Sequence, residues 1–282
     1  MPRREDLPFL LKLLEDESPV VQAQVQEALR SFGPRLDQEV IPFLIGMEPE
    51  IVEKVRNFCQ ELRSNEFSDT WLGWLDMEDE KAALEYVLIR LALFENGSLA
   101  YSIPQILDEL GEEFIRTGHP VNATSLMEFL FQRKAFRSPT LEDHNHLYDN
   151  LLFVLKSHQG SQLALSCLAI LVGKRVGIHL DGINIQGNFM AISFENENMS
   201  MFNSFNMGKP LARASVMYIE EAFRRNQIAP FHMKAQVHEI VTQILKNAID
   251  IHQKKNRLNE AKQFILLYRE LLTELKNRNL VG

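Results

Sequence analysis

The chain has 282 residues, enough for one large or two to three small domains with a sizeable core. Its 45% hydrophobic and 24% charged residues are ordinary for a globular fold and exclude disorder as the main state. A formal net charge of −8 argues against nucleic acid as the main partner of the whole chain. The charge is uneven, however. Residues 229–282 carry 9 Lys and Arg against 5 Asp and Glu, where the whole chain carries 30 against 38. A basic tail on an acidic body can dock on that body or an acidic partner, or simply solvate a helix face. Cys59 and Cys167 lie far apart with no paired CxxC spacing, which fits a reducing compartment. The N-terminus shows no small-residue cleavage site, and the longest nearly apolar run, Leu163 to Val172, is half a membrane span. A cytoplasmic protein with no membrane segment is expected.

In chain order, Leu7, Leu10, Leu11 and Leu14 form an apolar stripe at helical spacing. Ser18-Pro19 restarts the chain as cap and first helical position, and the second helix stops near Gly33-Pro34. Val40 to Leu44 predict a third short helix ending at Gly46, and Pro49 opens a fourth. Two helix pairs in tandem, with the Glu15 to Phe32 segment carrying most of the likeness, resemble HEAT-type repeats. Helices are predicted over "DEKAALEYVLIRLALFE" (amphipathic), over "SIPQILDELGEEFIRTG" with Ser102 as cap and Gly118 as stop, and over "NATSLMEFLFQRKAF" capped by Asn122 or Thr124. A polar loop from Arg137 to Asn145 follows.

The texture changes at Gly160. Ser161 to Arg175 is apolar on nearly every face, as in a helix buried on all sides. After Gly177 the period becomes two. Ile183 and Ile185 alternate with Asn184 and Gln186; Met190, Ile192 and Phe194 alternate with Ala191 and Ser193; Met199 and Met201 flank Ser200. These runs, with a turn at Glu195-Asn-Glu-Asn, predict a small antiparallel sheet. Residues 214–226 read as a helix, Pro230 as a break, and 234–253 with 258–277 as a helical hairpin.

The stretch from "YDNLLFVLKSHQGSQLALSCLAILVGKRVGIHL" to "MFNSF" resembles the SirB-type branch of the transglutaminase-like superfamily. The matching positions are Gly160, the helix 163–173, Gly177-Ile178, the strand 182–186, Gly187-Asn188-Phe189 and Phe202-Asn203-Ser204-Phe205. The tail resembles a tetratricopeptide-like hairpin, with Ala261 at the small-residue position. The resemblance implies an α+β, predominantly helical fold. A degenerate papain/transglutaminase-like core, a buried helix plus a small antiparallel sheet, would be flanked by helical repeats. It divides the chain into HEAT-like pairs (1–66), the core (67–228) and the hairpin (229–282).

Chemistry of that superfamily needs a Cys in the first helical turn, a His on the next strand and an Asp or Asn to orient it. On this chain those positions fall on Gln162, Asn188 and Asn203. Amides neither attack carbonyls usefully nor take up a proton near neutrality, so no catalytic residue is assigned. The three amides are expected to converge, satisfying each other or holding a peptide or small polar ligand. Cys167 lies about two turns into an apolar helix, where a core role is expected and burial raises its pKa. His144 and His146 lack a third ligand, His158 is expected to cap a helix or lie at the surface rather than reach the cleft, and His179 to sit in the turn before the sheet. Gly173-Lys-Arg-Val-Gly177 is too short for a phosphate loop and reads as a helix C-terminus.

No cofactor and no metal are expected. The sequence predicts a non-catalytic interaction or scaffold protein with a protein partner. The alternative is a cysteine-dependent hydrolase or acyl transferase using Cys167. A nucleic-acid role for the basic tail ranks third, because Phe264 and Tyr268 suit a hairpin core better than a stacking platform.

Overall fold

Prolines mark where several helices begin. The missing proline N–H costs nothing in a first turn, whose N–H groups have no helical acceptor. The computed structural model describes residues 2–14, 16, 18–33, 36–139, 145–185, 187–195, 198–225 and 234–280. Of the features expected above, Pro34, His144, Gln186, the Asn196-Glu197 turn and Pro230 lie outside them. The chain forms two compact units.

The first unit comprises residues 1–73 and 90–101. It holds α1 (Leu7–Leu13), α2 (Pro19–Arg30), α3 (Leu36–Leu44) and α4 (Pro49–Thr70). Leu7, Leu11, Val25, Leu29, Val40 and Val55 meet in its core. Ser18 precedes α2 as expected, but its side chain makes no cap hydrogen bond; the Asp16 carboxylate instead accepts from the Ser18 N–H at 2.8 Å. Helix α5 (Glu80–Asn96) contributes its C-terminal part to this unit. The amphipathic helix expected here is not found: apolar residues lie all around α5 and no residue from 81 to 96 is exposed.

The second unit comprises residues 74–89 and 102–282. After the start of α5 come α6 (Ile103–Arg116) and α7 (Ala123–Glu128), which continues into one π-helical turn, Phe129–Arg133. Asn122 caps α7 by accepting from the Ser125 N–H at 2.9 Å, which selects it over Thr124. A short 3-10 helix, His146–Asp149, leads to α8 (Leu151–Ser157), and α9 (Gln162–Arg175) runs through the middle of the unit. Every residue of α9 from Gln162 to Gly173 is buried.

Strands β1 (Asp181–Ile185), β2 (Asn188–Glu195) and β3 (Asn198–Phe202) form an antiparallel sheet in that order. Asp181 pairs with Ile192, Ile185 with Asn188, and Ala191 with Phe202. The sheet is covered on both faces. Ile183, Met190, Ile192, Met199 and Met201 pack on Val216 of α10 (Arg213–Arg225), while the opposite face, with buried Ala191 and Ser193, lies on α9. Gly182 is required here, because a Cβ would come within 2.4 Å of the Phe189 ring. The chain ends in the hairpin of α11 (Val237–Lys254) and α12 (Leu258–Asn277), with Ala261 buried at their contact. The fold is therefore mostly helical with one small sheet, the α+β class expected.

Candidate functional site

The start of α9 is built from short-range capping plus distant polar partners. Gly160 precedes it, and a Cβ there would come within 2.7 Å of Val154, so close packing against α8 explains this glycine. Ser161 is the N-cap; its Oγ accepts from the Ala164 N–H at 3.1 Å and donates to Asp149 Oδ1. The other Asp149 oxygen accepts from Asn247 Nδ2 of α11 at 2.9 Å. Asp149 is largely buried. A carboxylate beside the positive end of a helix is favourably placed. This one links the 3-10 turn, α9 and the C-terminal hairpin in one network.

Gln162, the first residue of α9, is 8% exposed. Its Nε2 donates to Asn203 Oδ1 at 3.1 Å, and the same Asn203 oxygen accepts from the Phe205 N–H at 2.9 Å. The structure thus brings two of the three expected amides together. It does not bring Asn188 to them. Asn188 is exposed and lies directly opposite Ile185, whose side chain packs with the α10-facing cluster. Directly paired strand residues share a face, so Asn188 belongs to the side of the sheet turned away from α9. Among the described residues no hydrogen bond joins it to Gln162 or Asn203.

Cys167 is fully buried in α9. Burial pushes its thiol far above the ordinary range, and the Asp149 carboxylate adds to that shift. Both effects disfavour the thiolate that nucleophilic chemistry needs. Cys59 is buried as well. His158 ends α8 in a left-handed conformation (φ 57°), stacks on Phe136 at 4.3 Å and donates from Nδ1 to the Lys134 carbonyl at 2.6 Å. It is a capping residue, one of the two roles expected for it. His179 is exposed just before β1. His146 rests against His252 of α11 with ring centres 4.3 Å apart. Among the described residues no three His, Cys, Asp or Glu side chains gather as a metal site.

At the far end of α9 the arrangement is ionic. Arg175 forms a two-pronged pair with Glu85 of α5, at 2.7 and 3.0 Å, and bonds Asp108 of α6 at 2.7 Å. Lys174 pairs with Asp79 at 2.7 Å, and that ammonium holds the Asp79 carboxyl below its usual range. The basic C-terminus also docks within the unit, through Arg278 to Asp76 at 2.7 Å.

The matched segment includes this helix, the sheet and both site amides. Residues 99–246, just over half of the chain, match the sequence profile of the transglutaminase-like superfamily. The chain belongs to that superfamily. The chain is also similar to a UPF0162 protein of Xylella fastidiosa strain 9a5c, 22% identical over 207 residues that cover 68% of this chain and 72% of the relative. A UPF0162 protein of strain Temecula1 is 23% identical over the same coverage. No solved structure matches. Among the described residues of this transglutaminase-like chain, no helix is long and apolar enough to cross a membrane.

Two features of the site were not singled out by sequence reasoning. Asp149 and Asn247 are 98 residues apart, and nothing local to either signals the pairing. Ser161 did carry a signal: a Ser between a glycine and an apolar helix is a standard N-cap pattern.

Proposed function

We propose that this protein is a non-catalytic member of its superfamily that binds or scaffolds another protein in the cytoplasm. The observation that carries the reading is the Gln162–Asn203 hydrogen bond at the first turn of α9, where the superfamily's chemistry calls for a thiol. One amide hydrogen bonds the other, and the shared oxygen also caps the turn after β3. That supports a structural role for the pair. The Cys167 alternative is disfavoured by complete burial and by a thiol held in its protonated form.

On this reading the helical pairs of residues 1–66 are HEAT-like, the segment 67–228 is a degenerate SirB-type core, and 229–282 is a tetratricopeptide-like hairpin. Helical-repeat surfaces of both kinds suit protein partners, an argument by analogy of fold. The decisive experiment is thiol labelling combined with an activity assay. Native protein treated with iodoacetamide is expected to label Cys167 only after denaturation, and peptide or ester hydrolysis is expected to stay at background. Fast native labelling of Cys167, with hydrolysis lost in Cys167→Ser, would overturn the proposal. A chain that runs as a monodisperse monomer and retains no partner in affinity capture would remove the scaffold half.

A further inference from the structure

Helix α12 meets its own unit along one stripe, with Ala261, Phe264, Leu267, Leu271 and Leu275 buried. Its opposite side carries Leu258, Lys262, Leu266, Arg269, Thr273 and Lys276. Steps of three and four residues keep these side chains on one line along a helix. All of them are exposed, Leu258 at 65% and Leu266 at 49%. The three cations recur every seventh residue, at 262, 269 and 276. None of the three makes an ion pair among the described residues. Their basic neighbours do: Lys254 pairs with Asp250, and Arg278 with Asp76 and Glu274. The acids of the helix, Glu260, Glu270 and Glu274, fall off the line, Glu270 bordering it beside Leu266.

We infer that this stripe of α12 docks an acidic amphipathic helix of a partner protein. The inference rests on the scaffold reading above and gives that reading a surface and a partner chemistry. Spacing selects a helix. Lys262, Leu266, Arg269, Thr273 and Lys276 follow the alternating steps of four and three at which one helix faces another. Charge selects the partner. Two copies packed through this stripe would bring like charges together, which is unfavourable. An anionic bilayer accepts cations that flank an apolar face, whereas here they stand on the line itself, between the leucines. Single-stranded nucleic acid is held by aromatic stacking as well as charge, and the line holds no aromatic residue. A helix with Asp or Glu every seventh residue and Leu between them satisfies the cations and covers the leucines together. Exposed ion pairs are individually weak and screened by salt, so the docking is reversible and salt-sensitive.

The test titrates the full chain with a labelled three-heptad peptide, Glu at each a position and Leu at each d position, followed by fluorescence anisotropy. Affinity is expected to fall at least about tenfold between about 50 and about 500 mM salt. It should fall as much in the variant combining Lys262→Glu, Arg269→Glu and Lys276→Glu. These positions are exposed, and thermal unfolding checks that the variant keeps its fold. That variant should instead bind a peptide with Lys at the a positions, which the original chain rejects; a merely unfolded variant would bind neither. A scrambled peptide of the same composition should bind at least about tenfold more weakly than the heptad one. Equal binding of scrambled and heptad peptides, or binding that the charge-reversed variant leaves unchanged, would overturn the inference. So would loss of binding to phosphatidylserine vesicles in that variant when the peptide does not bind at all, an outcome that assigns the stripe to a membrane. Each of these results leaves the scaffold reading standing on another surface, while a reactive Cys167 would remove that reading without altering the peptide titration.

Discussion

The two ends of α9 solve opposite problems with different chemistry. Its N-terminus is satisfied by hydrogen bonds in two groups: Ser161 and Asn247 both donate to Asp149, and Gln162 donates to Asn203. Its C-terminus is ionic, with Arg175 reaching Glu85 and Asp108 on neighbouring helices and Lys174 reaching Asp79 just before α5. Both arrangements complement the helix dipole, with a carboxylate near the start and cations near the end. The difference is in exposure. The buried end holds amides, a hydroxyl and a carboxylate that are engaged in hydrogen bonds. The ionic end keeps an open groove.

Arg175 gives the strongest way to break this contrast. Its side chain is 15% exposed and that of Glu85 is 18% exposed. Arg175→Ala leaves the Glu85 carboxylate largely buried without its cation, and is expected to cost about 3 kcal/mol in urea unfolding. The paired change Arg175→Met with Glu85→Leu should recover most of that loss, because a removed pair costs far less than a broken one. If Arg175→Ala alone is neutral, the ionic end contributes little and the contrast fails. Asp149 is the counterpart at the other end. Asp149→Ala strips the acceptor from both Ser161 and Asn247, with an expected loss of about 2 kcal/mol. Asp149→Asn keeps one carbonyl acceptor and should lose less.

Cys167 sharpens the comparison through pH. Folding raises its pKa, so the folded state holds the proton more tightly than the unfolded state. Below the ordinary thiol value of 9.0 both states are protonated and stability is unaffected. Above it the unfolded thiol ionises while the buried one does not. Stability should then fall by about 1.4 kcal/mol per pH unit relative to Cys167→Ala. Parallel alkaline unfolding curves for the two proteins would mean that the thiol is not desolvated.

The fold was largely legible because periodicity changes at glycines. The all-apolar run after Gly160 is α9, and the alternation after Gly177 is the sheet. The site was legible only in part, for two physical reasons. Alternation shows that strand residues switch faces, but it does not say which face meets α9. In β2 the residues between the apolar ones, Ala191 and Ser193, are buried too, so both faces are covered and parity alone cannot place Asn188. Likewise the amphipathic reading of α5 fails, because its apolar residues are spread around the helix and no residue from 81 to 96 is exposed. The Asp149–Asn247 bond joins segments 98 residues apart, and only tertiary packing brings them together.

The smallest expected effect is also the most discriminating, and it concerns the amide pair. Gln162→Ala and Asn203→Ala should each cost about 1 kcal/mol, the usual net worth of a neutral hydrogen bond. Asn203→Ala should cost slightly more, because it also removes the acceptor of the Phe205 N–H. The informative quantity is the coupling in the double variant. Contacting residues couple by about 0.5 kcal/mol or more, whereas independent sites add. A coupling of that size means the two amides spend their hydrogen bonds on each other, as a structural pair must. Additive losses would mean that each serves something else, and the first turn of α9 would again be a place to look for a bound peptide.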